Sequence, residues 1–230
     1  LPDEERSSSD VVTPFAERFT VYAVEPASDE RGALLVNLNA PWSDDLRAQL
    51  AAQAGDVFAA AVASKRSSGG SFASIEEVRD LALQSGMTAT DVARVLGSAV
   101  LDDSGYFFGR LDILRAAPSA LRALPGFMDD HVHRLVELRE SLSEDDRQSA
   151  AWLLSRGVLA PEEFFPIAGR ITHRSFTFRV RLAAGERNGD APFHPRIVWE
   201  AVIDCADETP RIASLRDVTN LPALAAILAA

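Results

Sequence analysis

Apolar and polar positions change rhythm twice along the chain. Near the start, Phe19-Thr20-Val21-Tyr22-Ala23-Val24 is β-branched and aromatic and runs into Pro26, which predicts a strand. The polar stretch Ala27 to Gly32 predicts a hairpin loop, and Ala33 to Asn39 a second strand with Leu34, Val36 and Leu38 on one face. From Pro41 to about Gly169 the spacing becomes three-and-four, rich in alanine and leucine, and helix-start signals recur. Ser43-Asp44-Asp45, Ser74-Ile75-Glu76-Glu77, Thr88-Ala89-Thr90-Asp91, Ala117-Pro118-Ser119 and Asp129-Asp130 each open a helix, the second with the serine and glutamate of a capping box. Beyond Arg170 the period returns to two. Phe176, Phe178, Val180 and Leu182 alternate with Ser175, Thr177, Arg179 and Arg181, which predicts a strand with one face buried. The loop Gly185 to Asp190, the run Ile197 to Asp204 and the run Arg211 to Arg216 complete a three-stranded antiparallel meander.

Two strands precede the helices and three follow, and a lone hairpin is marginal in water. The economical arrangement is a small antiparallel sheet built from both ends of the chain and interrupted by a large inserted helical domain, an α+β fold. The expected parts are residues 1–39, a tail and the first strands; residues 40–170, the α-helical insertion; and residues 171–230, the strands that complete the sheet. Leu1 to Asp10, charged and serine-rich, has too little apolar surface to order alone.

The helical part contains an internal repeat. Val36-Asn37-Leu38-Asn39-Ala40-Pro41 is followed by a helix, a break at Gln53-Ala54-Gly55-Asp56 and a helix ending Ser64-Lys65-Arg66. Leu111-Asp112-Ile113-Leu114-Arg115-Ala116-Ala117-Pro118 is followed by a helix, a break at Leu124-Pro125-Gly126-Phe127 and a helix ending Glu137-Leu138-Arg139. Each unit reads as a helix-hairpin-helix, with a glycine where the reversal needs a positive φ. Such hairpins can offer backbone N–H groups to phosphate. Here the second helices start with Asp56 and with Met128-Asp129-Asp130, so helix packing is preferred over DNA contact.

Charge points the same way. The chain has 230 residues, with 34 acidic against 23 basic side chains and a net charge of -11, a field that opposes polyanion binding. At this length roughly 70–75% of the unfolded surface is buried on folding, enough for a core without metal or disulfide. The single cysteine, Cys205, excludes an internal disulfide and does not decide the compartment. No run reaches the ~20 apolar residues of a membrane span.

The strand, the Asn37-Leu38-Asn39-Ala40 turn, the hairpin ending near Arg66 and the phrase Ser71-Phe72-Ala73-Ser74-Ile75-Glu76-Glu77-Val78 together resemble the helical region of general secretion pathway protein K, the minor pseudopilin of type II secretion systems. Gly109 to Ile113, Ala117 to Gly126 and Ile171 to Val180 extend the resemblance over roughly residues 19 to 218. It implies a periplasmic head that caps a short pseudopilus with two other minor pseudopilins. It also implies a cleaved leader and an inner-membrane helix, so that membrane attachment is only through an N-terminal helix absent from this chain. Calcium occurs in some family members, and no ligands for it are identified here. Asp112-Ile113-Leu114 replaces the Asn-x-Asn turn in the second repeat, which points to a divergent member.

The remaining chemistry is sparse. His131 and His133, two apart on a predicted helix, cannot share a metal ion and are expected at the surface. His173 and His194 flank strands without metal-site partners. Cys205 is expected as a small buried side chain and Asp102-Asp103-Ser104-Gly105 as a solvated turn. Asp145-Asp146 and Glu162-Glu163 suit helix starts, and Trp152 a core or inter-domain contact. No nucleophile, Walker or dinucleotide motif occurs. The expectation is therefore a non-catalytic protein without cofactor or small-molecule substrate, whose partners are other minor pseudopilins and the secretion machinery. Exposed aromatics of the helical region, Phe107 and Phe108 among them, are expected to meet a partner. The alternatives are a helix-hairpin-helix nucleic-acid binder, such as a DNA-uptake factor, and an enzyme with a dispersed site.

Overall fold

The computed structural model describes residues 23–29, 31–186 and 194–220, which form an α+β protein. Leu1 to Asp10, residues 19–22 of the first expected strand and the loop from 187 to 190 lie outside these. Among the described residues, Val24–Ser175 make one compact unit, and residues 176–186 and 194–220 belong to another.

The first unit is built twice over. Strand β2 (Val36–Asn37) leads into a turn in which Asn37 Oδ1 accepts the Asn39 N–H at 2.8 Å. Helices α1 (Asp44–Ala54) and α2 (Asp56–Ser67) follow, reversing at Gly55 with φ 84°. Helices α3 (Ile75–Gln84) and α4 (Ala89–Ser98) then lead to β3 (Ala99–Val100), which pairs in parallel with β2. The second copy begins at β5 (Leu111–Asp112), where Asp112 Oδ1 accepts the Leu114 N–H at 2.9 Å. It continues through the single turn α5 (Pro118–Leu121), Gly126 with φ 78° and α6 (Asp129–Arg139). Short helices α7 (Glu144–Arg147), α8 (Trp152–Ser155) and α9 (Pro161–Phe164) and a 3-10 segment, Phe165–Arg170, lead to β6 (Ile171–Thr172). Strand β6 pairs in parallel with β5, as β3 does with β2.

Each copy has its own core. Leu38, Leu50, Phe58, Val62 and Val78 pack in the first, and Ile113, Leu121, Leu135, Trp152 and Ile167 in the second. Phe165 and Ala168 touch both. The matching arginines act as clamps at matching places. Arg66 donates to the carbonyls of Asn39 (2.9 Å), Ala40 (3.0 Å) and Gly70 (2.8 Å), and Arg139 donates to the Ala116 carbonyl at 2.9 Å.

Helix starts are set locally. Ser43 accepts from the Leu46 N–H at 3.1 Å, and Thr88 from the Asp91 N–H at 3.2 Å, satisfying donors that the first turn leaves open. The capping box expected at Ser74 does not form. Glu77 accepts instead from Lys65 at 2.7 Å and from the Ala73 N–H at 3.4 Å, and the Ser74 side chain caps no amide of the first turn.

The common sheet expected from both ends of the chain is corrected at the segment Ala33 to Asn39. Its pairing residues, Val36 and Asn37, lie beside Ala99 and Val100 within the helical unit. The reason is packing: Leu38 is fully buried among helix side chains, and the Asn39 amide bonds Phe72 and Leu101, which ties the strand to the chain that follows α2 and α4. Strand β1 (Val24–Pro26) likewise pairs with β4 (Tyr106–Phe108), antiparallel, in register Glu25 with Phe107.

The meander forms as the alternation predicts: β7 (Thr177–Glu186), β8 (His194–Asp204) and β9 (Arg211–Asp217), antiparallel in that order. Its two faces differ in exposure. Register places Phe178, Leu182, Trp199, Ile212 and Leu215 on one face, and these are between 38 and 63% exposed. On the other face the central strand is buried at Val198, Glu200, Val202 and Asp204, while Arg179, Arg211 and Arg216 beside it are exposed. Glu200, on the central strand, is 3% exposed and accepts from Arg181 (2.8 Å) and Arg216 (2.9 and 2.6 Å), with Arg179 at 4.0 Å. The guanidinium heads of those arginines converge on one carboxylate. Burial opposes ionisation of Glu200, but the hydrogen bonds from Arg181 and Arg216 outweigh it and hold the carboxyl below its usual range.

Candidate functional site

Two features of the described residues stand out. One is the open apolar face of the meander just described. The other is the β1–β4 ladder of the helical unit and the charged cluster beneath it.

Strand β4 carries Tyr106, Phe107 and Phe108. Phe108 is 70% exposed, whereas Phe107 is half-buried, with the guanidinium carbon of Arg110 over its ring, 3.4 Å from the centroid. Neither of the two aromatics is enclosed. Glu25, opposite Phe107 in the ladder, is buried between two arginines. Arg174, just past β6, donates to Glu25 Oε1 at 2.8 and 3.2 Å, and Arg110 Nη1 stands 3.7 Å from Oε2. Burial pulls the Arg110 guanidinium below its ordinary pKa, Arg174 adds to this, and Glu25 opposes it. Next to Arg174, His173 is pushed down to about 4, first by burial and then by the positive charge of Arg174. Its imidazole is neutral at pH 7. Asp112 is also buried and is satisfied by Arg115 at 2.9 Å and by the Ser175 hydroxyl at 2.8 Å. Sequence spacing does not reveal this cluster, because Glu25, Arg110 and Arg174 are far apart in the chain and no motif joins them.

The other singled-out residues find plain roles. His133 is exposed, but His131 is not at the surface as expected: its side chain is 13% exposed, packs edge-on against Phe127 and accepts the Met128 N–H through Nδ1 at 3.3 Å. The helix start draws the ring back onto its own first turn. His194 is exposed at the start of β8. Cys205 is only half-buried, since β8 has ended at Asp204. Asp102, Asp103 and Ser104 are exposed, as a solvated turn requires, and Asp103 accepts from the Asn37 amide at 2.6 Å. Asp146 is half-buried and pairs with Arg156, while Glu163 accepts the Ala160 N–H at 2.8 Å. Trp152 is fully buried in the second core.

Among the described residues no group of three or more His, Cys, Asp or Glu is placed to hold a metal ion. The Asp102–Asp103 turn does not fit a calcium cage, since Asp102 already accepts the Ser104 N–H at 2.9 Å and Asp103 is engaged by Asn37. No helix among the described residues is long and apolar enough to cross a membrane. No protein-family model matches the chain, and no curated protein or solved structure does either.

Proposed function

We propose that the chain is a non-catalytic assembly protein: the periplasmic head of a divergent minor pseudopilin that caps a type II secretion pseudopilus together with other minor pseudopilins. The observation that carries this reading is the open face of the meander. Phe178, Leu182, Trp199, Ile212 and Leu215 form a contiguous apolar surface, and a patch of this kind on a soluble domain marks a contact site. The duplicated helix-hairpin-helix unit supports the reading as well, although Val24–Pro26 and Val36–Asn37 do not join the meander in a shared sheet. The partner is protein rather than nucleic acid on this reading. The second helices of both hairpins open on acidic residues, Asp56 and Asp129-Asp130, which would repel a phosphate at the very amides that could bind it.

The test is reconstitution with the other minor pseudopilins of a type II secretion system. A stoichiometric complex is expected on size exclusion, together with at least about tenfold weaker binding for Leu182→Ser combined with Leu215→Ser. Both positions are exposed, so the variant keeps its far-UV spectrum. No complex with any such subunit, or duplex binding that falls steeply with salt, overturns the proposal in favour of the nucleic-acid reading.

A further inference from the structure

A cavity of about 460 Å³ opens in the helical unit between its two copies, within the range of about 300–1,000 Å³ typical of small-ligand clefts. Leu96 from the first copy and Ala168 and Ile171 from the second give it an apolar wall, and His173 lines it as well. We propose that this cavity is a receptor site for a small uncharged alcohol, a molecule with an apolar body and one hydroxyl group, held through the imidazole of His173. The site is independent of the meander face and of the assembly role read from it.

Three observations carry this. First, His173 is a hydrogen-bonding group left without a bond. Among the described residues nothing donates to its ring or accepts from it, and neither nitrogen is sealed from solvent as Glu25 Oε2 is. Burial and the charge of Arg174 keep the ring neutral at pH 7, so one nitrogen carries a proton and the other a lone pair. A hydroxyl can serve either, accepting from the N–H or donating to the bare nitrogen, and it satisfies a largely buried group that has no protein partner. Second, the charges around the cavity are matched. Three acidic and three basic side chains line it; Glu25 lies between Arg110 and Arg174, while Asp29 and Asp145 are exposed and the exposed Arg94 stands with them. An ionic ligand would give up its hydration with no surplus of opposite charge to replace it, which selects an uncharged one. Third, Leu96 and Ile171 are buried core residues and Ala168 touches both cores, so the wall gives a hydrocarbon body a surface that water or a purely polar solute cannot exploit. The second copy alone supplies the imidazole. At the place after β3 that corresponds to His173 after β6, the first copy has Leu101.

Cyclohexanol, cyclohexanecarboxylate and cyclohexylammonium share one ring and differ in charge. Each is titrated into the whole protein at pH 7 and constant ionic strength while the histidine imidazole resonances are followed by NMR. Cyclohexanol is expected to bind saturably at one site, shifting His173 and leaving the exposed His133 and His194 in place, with both ions at least about tenfold weaker. Calorimetry reads the variants. His173→Phe keeps the bulk of the ring without its nitrogens and should weaken cyclohexanol at least about tenfold, whereas His173→Gln, which restores a donor and an acceptor, should bind more tightly than His173→Phe. Should His173→Phe fail to fold, the comparison of the three ligands on the unaltered protein decides. Non-saturable shifts, equal or tighter binding of either ion, or unaltered affinity in the His173→Phe protein overturns the inference.

Discussion

Removing the guanidinium of Arg66 while keeping its stem, as Arg66→Met does, tests whether the two helical copies are clamped in the way their geometry shows. Arg66 holds three carbonyls at 2.8 to 3.0 Å, those of Asn39 and Ala40 before α1 and of Gly70 after α2, so it ties both ends of the hairpin together. A hydrogen bond from a charged donor is worth about 1.5–3 kcal/mol net. These bonds are only partly buried, so water replaces some of them in the variant, and the buried Arg66 Nε, which has no partner, is a penalty that methionine removes. The balance is a loss of about 3 kcal/mol. Arg139, in the corresponding place of the second copy, holds only the Ala116 carbonyl, and Arg139→Met is expected to lose about 1 kcal/mol. Urea unfolding at neutral pH measures both, and hydrogen exchange at the Phe72 amide, which donates to Asn39 Oδ1 at 2.8 Å, reports the local opening. Equal losses for the two arginines, or a loss under about 1 kcal/mol for Arg66 with unchanged exchange at Phe72, would refute the clamp.

Acid sensitivity follows from His173. Its folded pKa, about 4, lies below the unfolded value of 6.5, so the neutral form is favoured by folding; this contribution is complete above pH 6.5 and is lost as pH falls toward 4. The loss is on the order of 3 kcal/mol at most, and His173→Phe should flatten the fall in unfolding free energy between pH 6.5 and 5; an equal slope in both proteins contradicts the burial argument. Gly126, with φ 78° at the hairpin, should lose about 1 kcal/mol on substitution by alanine. Gly97, near the end of α4 with open space around its Cα, should instead gain about 0.5–1 kcal/mol as alanine, and thermal melting of the two variants should shift in opposite directions. Glu200→Gln leaves three arginines converging on a neutral amide and should destabilise the meander, with a smaller loss when Arg181 is replaced at the same time, as a double-mutant cycle would read.

What could be read in the sequence was whatever depends on near neighbours. Ser43 and Thr88 cap helices with amides three residues on, Gly55 and Gly126 supply the left-handed turn that a hairpin needs, and the alternation from Phe176 to Leu182 reports a strand, because each needs only a few consecutive residues. The repeat was visible for the same reason, since its arginines and turns recur at matched spacing. Three things waited for the tertiary structure. Strand β2 pairs over only two residues, too few for periodicity to name a partner, and the choice of Ala99–Val100 is made by the burial of Leu38 in the core around it. Alternation marks two faces of a sheet but not which is buried, and here the central strand buries its Glu200 side and leaves Trp199 on the other side partly exposed. The Glu25, Arg110 and Arg174 cluster joins residues up to 149 positions apart, and a contact of that range leaves no local signature; only the folded chain brings the opposite charges into one low-dielectric place, where their attraction is strong enough to order them.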